Sequence, residues 1–81
     1  MAASTRPLTS LAAGAAATVA AIELPSEERT RLCEIGLVIG TPVELVRFAP
    51  LGDPVEIRAR GYCLALPRHE AERIWVSPAS P

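Results

Sequence analysis

The chain has 81 residues and a formal net charge of −1, from eight arginines against nine acidic residues, with no lysine. This length supports one domain at most, and a domain so small buries only about 60% of its unfolded surface, leaving little room for a deep catalytic cavity. The arginines at 29, 31, 47, 58, 60, 68 and 73 are interleaved with glutamates, which is not the clustered positive excess of a nucleic-acid binder, and no window approaches the ~20 apolar residues of a membrane span.

Residues 1–6 and 78–81 are expected to be loose tails around a domain at 7–77. Residues 1–21 carry one arginine followed by many alanines, but Thr9, Ser10, Gly14 and Thr18 interrupt the apolar stretch. That pattern argues against a secretory signal and for the cytosol. The turn signals Gly14, Pro25-Ser26, Gly36, Gly40, Pro50 to Pro54, Gly61 and Pro67 recur at the spacing of short strands.

Ala15–Leu24 has the alanine content of a helix, yet Thr18, Val19 and Ile22 are β-branched, and Gly14 and Pro25 bound a strand-length run. A strand is expected there. Ser26–Ile35 reads as a helix, with Ser26 as N-cap, Glu27 and Glu28 in the first turn, Leu32 and Ile35 facing inward, and Gly36 as C-cap. Pro42–Phe48 reads as a strand with Val43, Leu45 and Arg47 on one face and Glu44, Val46 and Phe48 on the other. Val55–Arg60 alternates cleanly, and Tyr62–Leu66 follows across a tight Arg60-Gly61 turn. Pro67 opens a helical turn at Arg68–Ala71, and Ile74–Val76 closes as a last strand, with Trp75 partly buried. About five short strands and one short helix in some 70 residues imply a mainly β fold, a small SH3-like barrel.

No catalytic set emerges. Cys33 and Cys63 sit in apolar runs and read as buried free thiols, and a single histidine offers no base for both of them. His69, Glu70 and Glu72 lack metal-ligand spacing, so His69 is expected as an exposed turn residue, Glu70 and Glu72 as solvated, and no metal or cofactor is expected. In Pro50-Leu51-Gly52-Asp53-Pro54, two prolines flank a Leu-Gly-Asp tip. Such a loop is stiff, and nothing in the strand pattern offers Leu51 a core position.

The ordered signals carry a resemblance. They are Leu11-x-x-Gly14, Arg31-Leu32, Gly36-Leu37, Gly40, the Pro50–Pro54 run, Gly61-Tyr62-x-Leu64-Ala65-Leu66, Glu70-Ala71, Ile74 and Val76. Over Leu8–Val76 the chain resembles the FeoA family, whose fold is an SH3-like barrel and which accompanies the bacterial ferrous-iron transporter FeoB. The resemblance implies a non-enzymatic cytoplasmic accessory protein that binds a FeoB-type transporter or its cytosolic GTPase region. It implies no nucleic-acid partner, and contact with the membrane only through the transporter. Leu37, Pro50, Leu51, Gly52, Asp53 and Pro54 are the expected partner-binding residues, and Gly14, Gly36, Gly40 and Gly61 the structural turns. Two alternatives accompany this reading. One is a free-standing repressor-type module for iron-dependent regulation. The other is a GTPase regulator supplying Arg47, Arg58 or Arg60 in trans.

Overall fold

The computed structural model describes residues 4–78. Its elements are β1 (Arg6–Pro7), a 3-10 turn (Leu8–Ser10), β2 (Ala16–Ile22), α1 (Ser26–Glu34), β3 (Pro42–Phe48), β4 (Val55–Ala59), β5 (Tyr62–Leu66), α2 (Arg68–Ala71) and β6 (Ile74–Pro78). The six strands form one antiparallel sheet in the order β1-β6-β2-β3-β4-β5. The mainly β, SH3-like fold is therefore present, with a sheet that does not close. The strand beyond the expected five is β1, where Arg6 and Pro7 pair with Val76 and Trp75 of β6. Of the expected tails, residues 1–3 and 79–81 lie outside the described residues.

The alanine-rich segment is a strand because its neighbours make it one. Ala17 and Val19 point into the core while Ala16 and Thr18 face out, and β6 and β3 supply ladder partners on both sides. Pairing on two edges outweighs the intrinsic helix preference of alanine, which is a weak prior.

β3 departs from simple alternation. The β3–β4 register shifts between Leu45 and Arg47, leaving Val46 as the extra residue of a bulge. Val43 lies opposite Ala59, Leu45 opposite Ile57 and Phe48 opposite Val55. The inner face is therefore 43, 45 and 48, and Phe48 packs against the core. Arg47, expected beside Leu45, is carried outward to pair with Glu56.

α1 starts one residue earlier than its serine suggests. Pro25 occupies the N-cap, and no side-chain cap bond forms, so Ser26 is already inside the helix. Glu27 and Glu28 remain in the first turn. Only Leu32 of this helix is buried; Ile35, expected to point inward, is 46% exposed. The apolar face ends at Leu32 because the chain reverses immediately afterwards. The Gly36 N–H donates to Cys33 O at 3.0 Å and the Leu37 N–H to Leu32 O at 2.9 Å. This is a Schellman termination, which folds the following apolar residue back onto the helix. Leu37 takes that inward place at 1% exposure.

Leu8, Leu32, Leu37, Leu45, Ile57 and Ile74 form the centre of the core, with Val19, Val55 and Val76 around them. Burying a side chain of this size contributes about 1.5–3 kcal/mol. Both cysteines, expected in the core, are exposed. Cys63 lies opposite the outward-facing Arg58, and Cys33 follows Leu32 onto the solvent side of α1. Among the described residues, no helix is long and apolar enough to cross a membrane.

Candidate functional site

The loop between β3 and β4 is the most exposed apolar feature of the surface. Leu51 is 95% exposed at its tip. The local chain dictates this position. The Gly52 N–H donates to Ala49 O at 2.7 Å, closing a β-turn with Pro50 and Leu51 as its central residues. Proline presets φ for the first central position. The loop is then closed at its base by the Ala49 N–H, which donates to Pro54 O at 3.0 Å.

A second set of bonds ties this loop to α2. The Arg68 backbone N–H donates to Asp53 Oδ1 at 3.0 Å, and the Arg68 guanidinium donates to Gly52 O at 3.2 Å. Pro67, at the N-cap of α2, makes no cap bond, so Asp53 caps this short helix from 15 residues away. Arg68 is itself positioned by Glu72 at 3.1 Å and lies 6.0 Å from the centre of the Phe48 ring. A Cβ added to Gly52 would lie 2.9 Å from Arg68 Nη1, and Gly52 has φ +83°. Pro50, Gly52, Asp53 and Pro54 thus present Leu51 on a braced support. Arg68, which the sequence reading passed over, is the brace. The one local signal for it is an aspartate, a capping residue type, in the loop that α2 meets.

The other expected contact residue, Leu37, has its side chain in the core and presents no side-chain surface. Gly36 before it is the counterpart of Gly52: Arg60 Nε donates to Gly36 O at 2.8 Å, and a Cβ on Gly36 would lie 2.8 Å from Arg60 Cδ. Gly14, Gly36, Gly40 and Gly61 all have positive φ. Arg60 shares that conformation at φ 53°, so the Arg60-Gly61 turn has positive φ at both central residues, as a type I′ hairpin turn requires. Thr41 is a further buried group that the sequence did not reveal. It accepts from the Val38 N–H at 3.1 Å and donates to Gly36 O at 3.3 Å, holding the same corner.

The three arginines considered as donors to a GTPase all have partners within the chain. Arg47 makes a two-pronged pair with Glu56 at 3.0 and 3.3 Å, and this hydrogen bond and its charge raise the guanidinium's pKa above its ordinary value. Arg58 pairs with Glu44 at 3.5 Å, and Arg60 is bonded to Gly36 O.

A last cluster lies where α1 meets α2. His69 is exposed and Glu72 is on the surface, as expected, but Glu70 is only 2% exposed. α2 is anchored by Ala71 in the core, which turns Glu70 inward beside Leu66 and Leu32, and Arg31 of α1 reaches over to form an ion pair with it. Trp75, half-buried, donates from Nε1 to Glu23 Oε1 at 3.1 Å.

The chain matches the model of the FeoA domain family over residues 6–78. It is 36% identical over 69 residues to the Fe(2+) transport protein A/Fe(2+) transporter FeoB fusion protein of Porphyromonas gingivalis, a match that uses 85% of this chain and spans 8% of that relative. Among solved structures, the FeoA protein of Chlorobium tepidum superposes with a TM-score of 0.87 at 40% identity, covering 91% of this chain and 70% of that one. A manganese-dependent transcriptional repressor superposes with a TM-score of 0.88 at 18% identity, covering 98% of this chain and 44% of the repressor, which is a likeness of fold.

Proposed function

Because the chain belongs to the FeoA family, which serves ferrous iron transport, we propose that it is a non-enzymatic cytoplasmic accessory protein that docks on the cytosolic region of a FeoB-type transporter. The observation that carries this reading is Leu51, 95% exposed on a loop braced by Arg68. An apolar side chain held rigidly in water loses little conformational entropy when a partner covers it. The relative in which an FeoA unit and FeoB form one chain supports the choice of partner. The transporter's state would shift only by the difference in this protein's affinity for its conformations. The internal partners of Arg47, Arg58 and Arg60 favour docking over an arginine supplied in trans.

The test is a titration of the isolated cytosolic domain of a FeoB-type transporter with wild-type and Leu51→Ala protein. The substitution is expected to weaken binding by at least about fivefold, or ~1 kcal/mol. Equal affinity in a variant of native melting temperature would remove the loop from the interface. In a GTP-hydrolysis assay of the same cytosolic domain, Arg58→Ala and Arg60→Ala are expected to leave turnover nearly unchanged from that with wild-type protein. A drop of a hundredfold or more would restore the arginine mechanism, since such residues contribute about 10³–10⁵ in rate.

A further inference from the structure

We infer that the outer edge of β5 pairs with β5 of a second copy of this chain, antiparallel and about a twofold axis at Leu64, so that the sheet runs on from one subunit into the other. β5 ends the sheet, and its one strand neighbour among the described residues is β4. The Arg60-Gly61 turn joins the two strands, so Ala59 and Tyr62 exchange both backbone bonds and the pattern alternates from there. Tyr62, Leu64 and Leu66 turn their N–H and C=O groups to β4. Those of Cys63 and Ala65 point away from it, and no other element among the described residues receives them. Edge strands are ordinarily blunted by brevity, charge, proline or a bulge. The opposite edge is blunted in this way, since β1 is only Arg6 and Pro7. β5 has five uncharged residues, Tyr-Cys-Leu-Ala-Leu, and an unbroken register against β4. Tyr62, Cys63 and Ala65 are exposed along it.

Charge and shape select a second copy as the occupant and fix the register. On the outer face Arg58 lies opposite Cys63, and Glu56 opposite Ala65. Setting Cys63 against Ala65 of the second copy continues the row as Arg58, Cys63, Ala65, Glu56, with opposite charges at its ends and two small side chains between them. Setting Cys63 against itself would bring Arg58 toward Arg58, and setting Ala65 against itself would bring Glu56 toward Glu56, which like charges disfavour. The Cys63–Ala65 register also overlaps the whole of β5, and each such pair exchanges both N–H···O bonds.

Tyr62 shares the inner face with Leu64 and Leu66, yet at the hairpin end it is 71% exposed. At the other end of that face, Arg31, Leu32, Ile35, Leu66, Pro67 and Glu70 line a groove of about 260 Å³ in which Ile35 is 46% exposed. The same register sets Tyr62 opposite Leu66 of the second copy, in the closer, non-hydrogen-bonded kind of pair. The ring then lies at this groove against Ile35, and its hydroxyl has the Arg31–Glu70 ion pair beside it. The twofold axis repeats the contact, so both tyrosines and both grooves are covered. An unrelated extended peptide would satisfy the backbone of Cys63 and Ala65, but nothing would give it this tyrosine and this order of charges.

The test is sedimentation equilibrium of the full chain under reducing conditions, at concentrations up to about 1 mM, because a contact of one strand and one side chain is weak and reversible. A monomer–dimer equilibrium is expected. Ala65→Pro removes an outward N–H that no neighbour in the chain uses, and Tyr62→Ser removes the ring. Each should weaken the dimer about tenfold or more, while the melting temperature of dilute protein stays close to that of wild type. The register is read by disulfide trapping with oxidised glutathione. Protein carrying Cys33→Ser is mixed with protein carrying Cys33→Ser, Cys63→Ser and Ala65→Cys. The mixed covalent dimer should form several times faster than either covalent homodimer, because only it holds two thiols directly across from each other, at a spacing that a disulfide spans. A chain that stays monomeric throughout overturns the proposal and leaves the β5 edge to an extended segment of another protein. A dimer that both edge variants leave intact, or one trapped fastest through Cys63 of both copies, overturns it as well.

Discussion

Two turns of this protein share one design and end in opposite ways. At the end of α1, Gly36 precedes Leu37 and its carbonyl accepts from Arg60. At the tip of the β3–β4 loop, Gly52 follows Leu51 and its carbonyl accepts from Arg68. Each glycine has positive φ and lies under its arginine so closely that a Cβ would collide with it. Yet Leu37 is 1% exposed and Leu51 is 95% exposed. The difference comes from what the turn continues. Gly36 ends a helix whose Leu32 is already in the core, and the Schellman bonds direct the next residue back toward it. The β-turn at Pro50-Leu51 instead projects beyond two paired strands, where no wall of the core faces it. A leucine beside a glycine is therefore structural in one setting and available for recognition in the other.

The largest effect that would test this contrast is Leu37→Ala. It should cost about 2–5 kcal/mol in chemical denaturation, as for other leucines truncated in a core. A loss below that range would mean the corner can collapse onto Leu32 or that Leu37 is less central than its burial implies.

Next comes Gly36→Ala, expected to cost roughly 1–2 kcal/mol because an L residue is strained at positive φ. Gly52→Ala carries the same backbone strain but should cost less. Its Cβ would meet only the terminal Nη1 of Arg68, whereas at Gly36 it would meet Cδ and Nε of Arg60. Equal losses at the two positions would show that the arginine contacts do not matter.

Asp53→Ala should cost about 1 kcal/mol, the usual penalty for a lost helix cap. It should also speed amide exchange at Arg68, whose N–H donates to Asp53. Unchanged exchange there would mean that the loop is not braced by α2.

The smallest effect should be that of Leu51→Ala on stability, under ~0.5 kcal/mol in the same denaturation experiment. A larger loss would break the contrast from the other side, by showing that Leu51 contributes to the fold despite its exposure.

Several features follow from residues close together in sequence and are legible there. The Pro50–Pro54 turn, the Arg60-Gly61 hairpin and the helix stop at Gly36 each depend on the φ preferences and bonds of a few consecutive residues. The exposure of Leu51 could be read for the same reason. Other features depend on which segments become neighbours. The alanine-rich β2 is a strand because β3 and β6 flank it, and the bulge at Val46 appears only in the pairing of β3 with β4. Cys63 faces solvent because its register sets it opposite Arg58, not because of its apolar neighbours in the chain. The burial of Glu70 is the clearest case. Its sequence neighbours are polar on one side and alanine on the other, and its counter-charge Arg31 is 39 residues away. Local preferences depend on a few dihedral angles and can be read from a short stretch of chain. The solvation of a carboxylate and the company of a histidine depend on how α1 packs against α2, which is settled only when the whole core assembles.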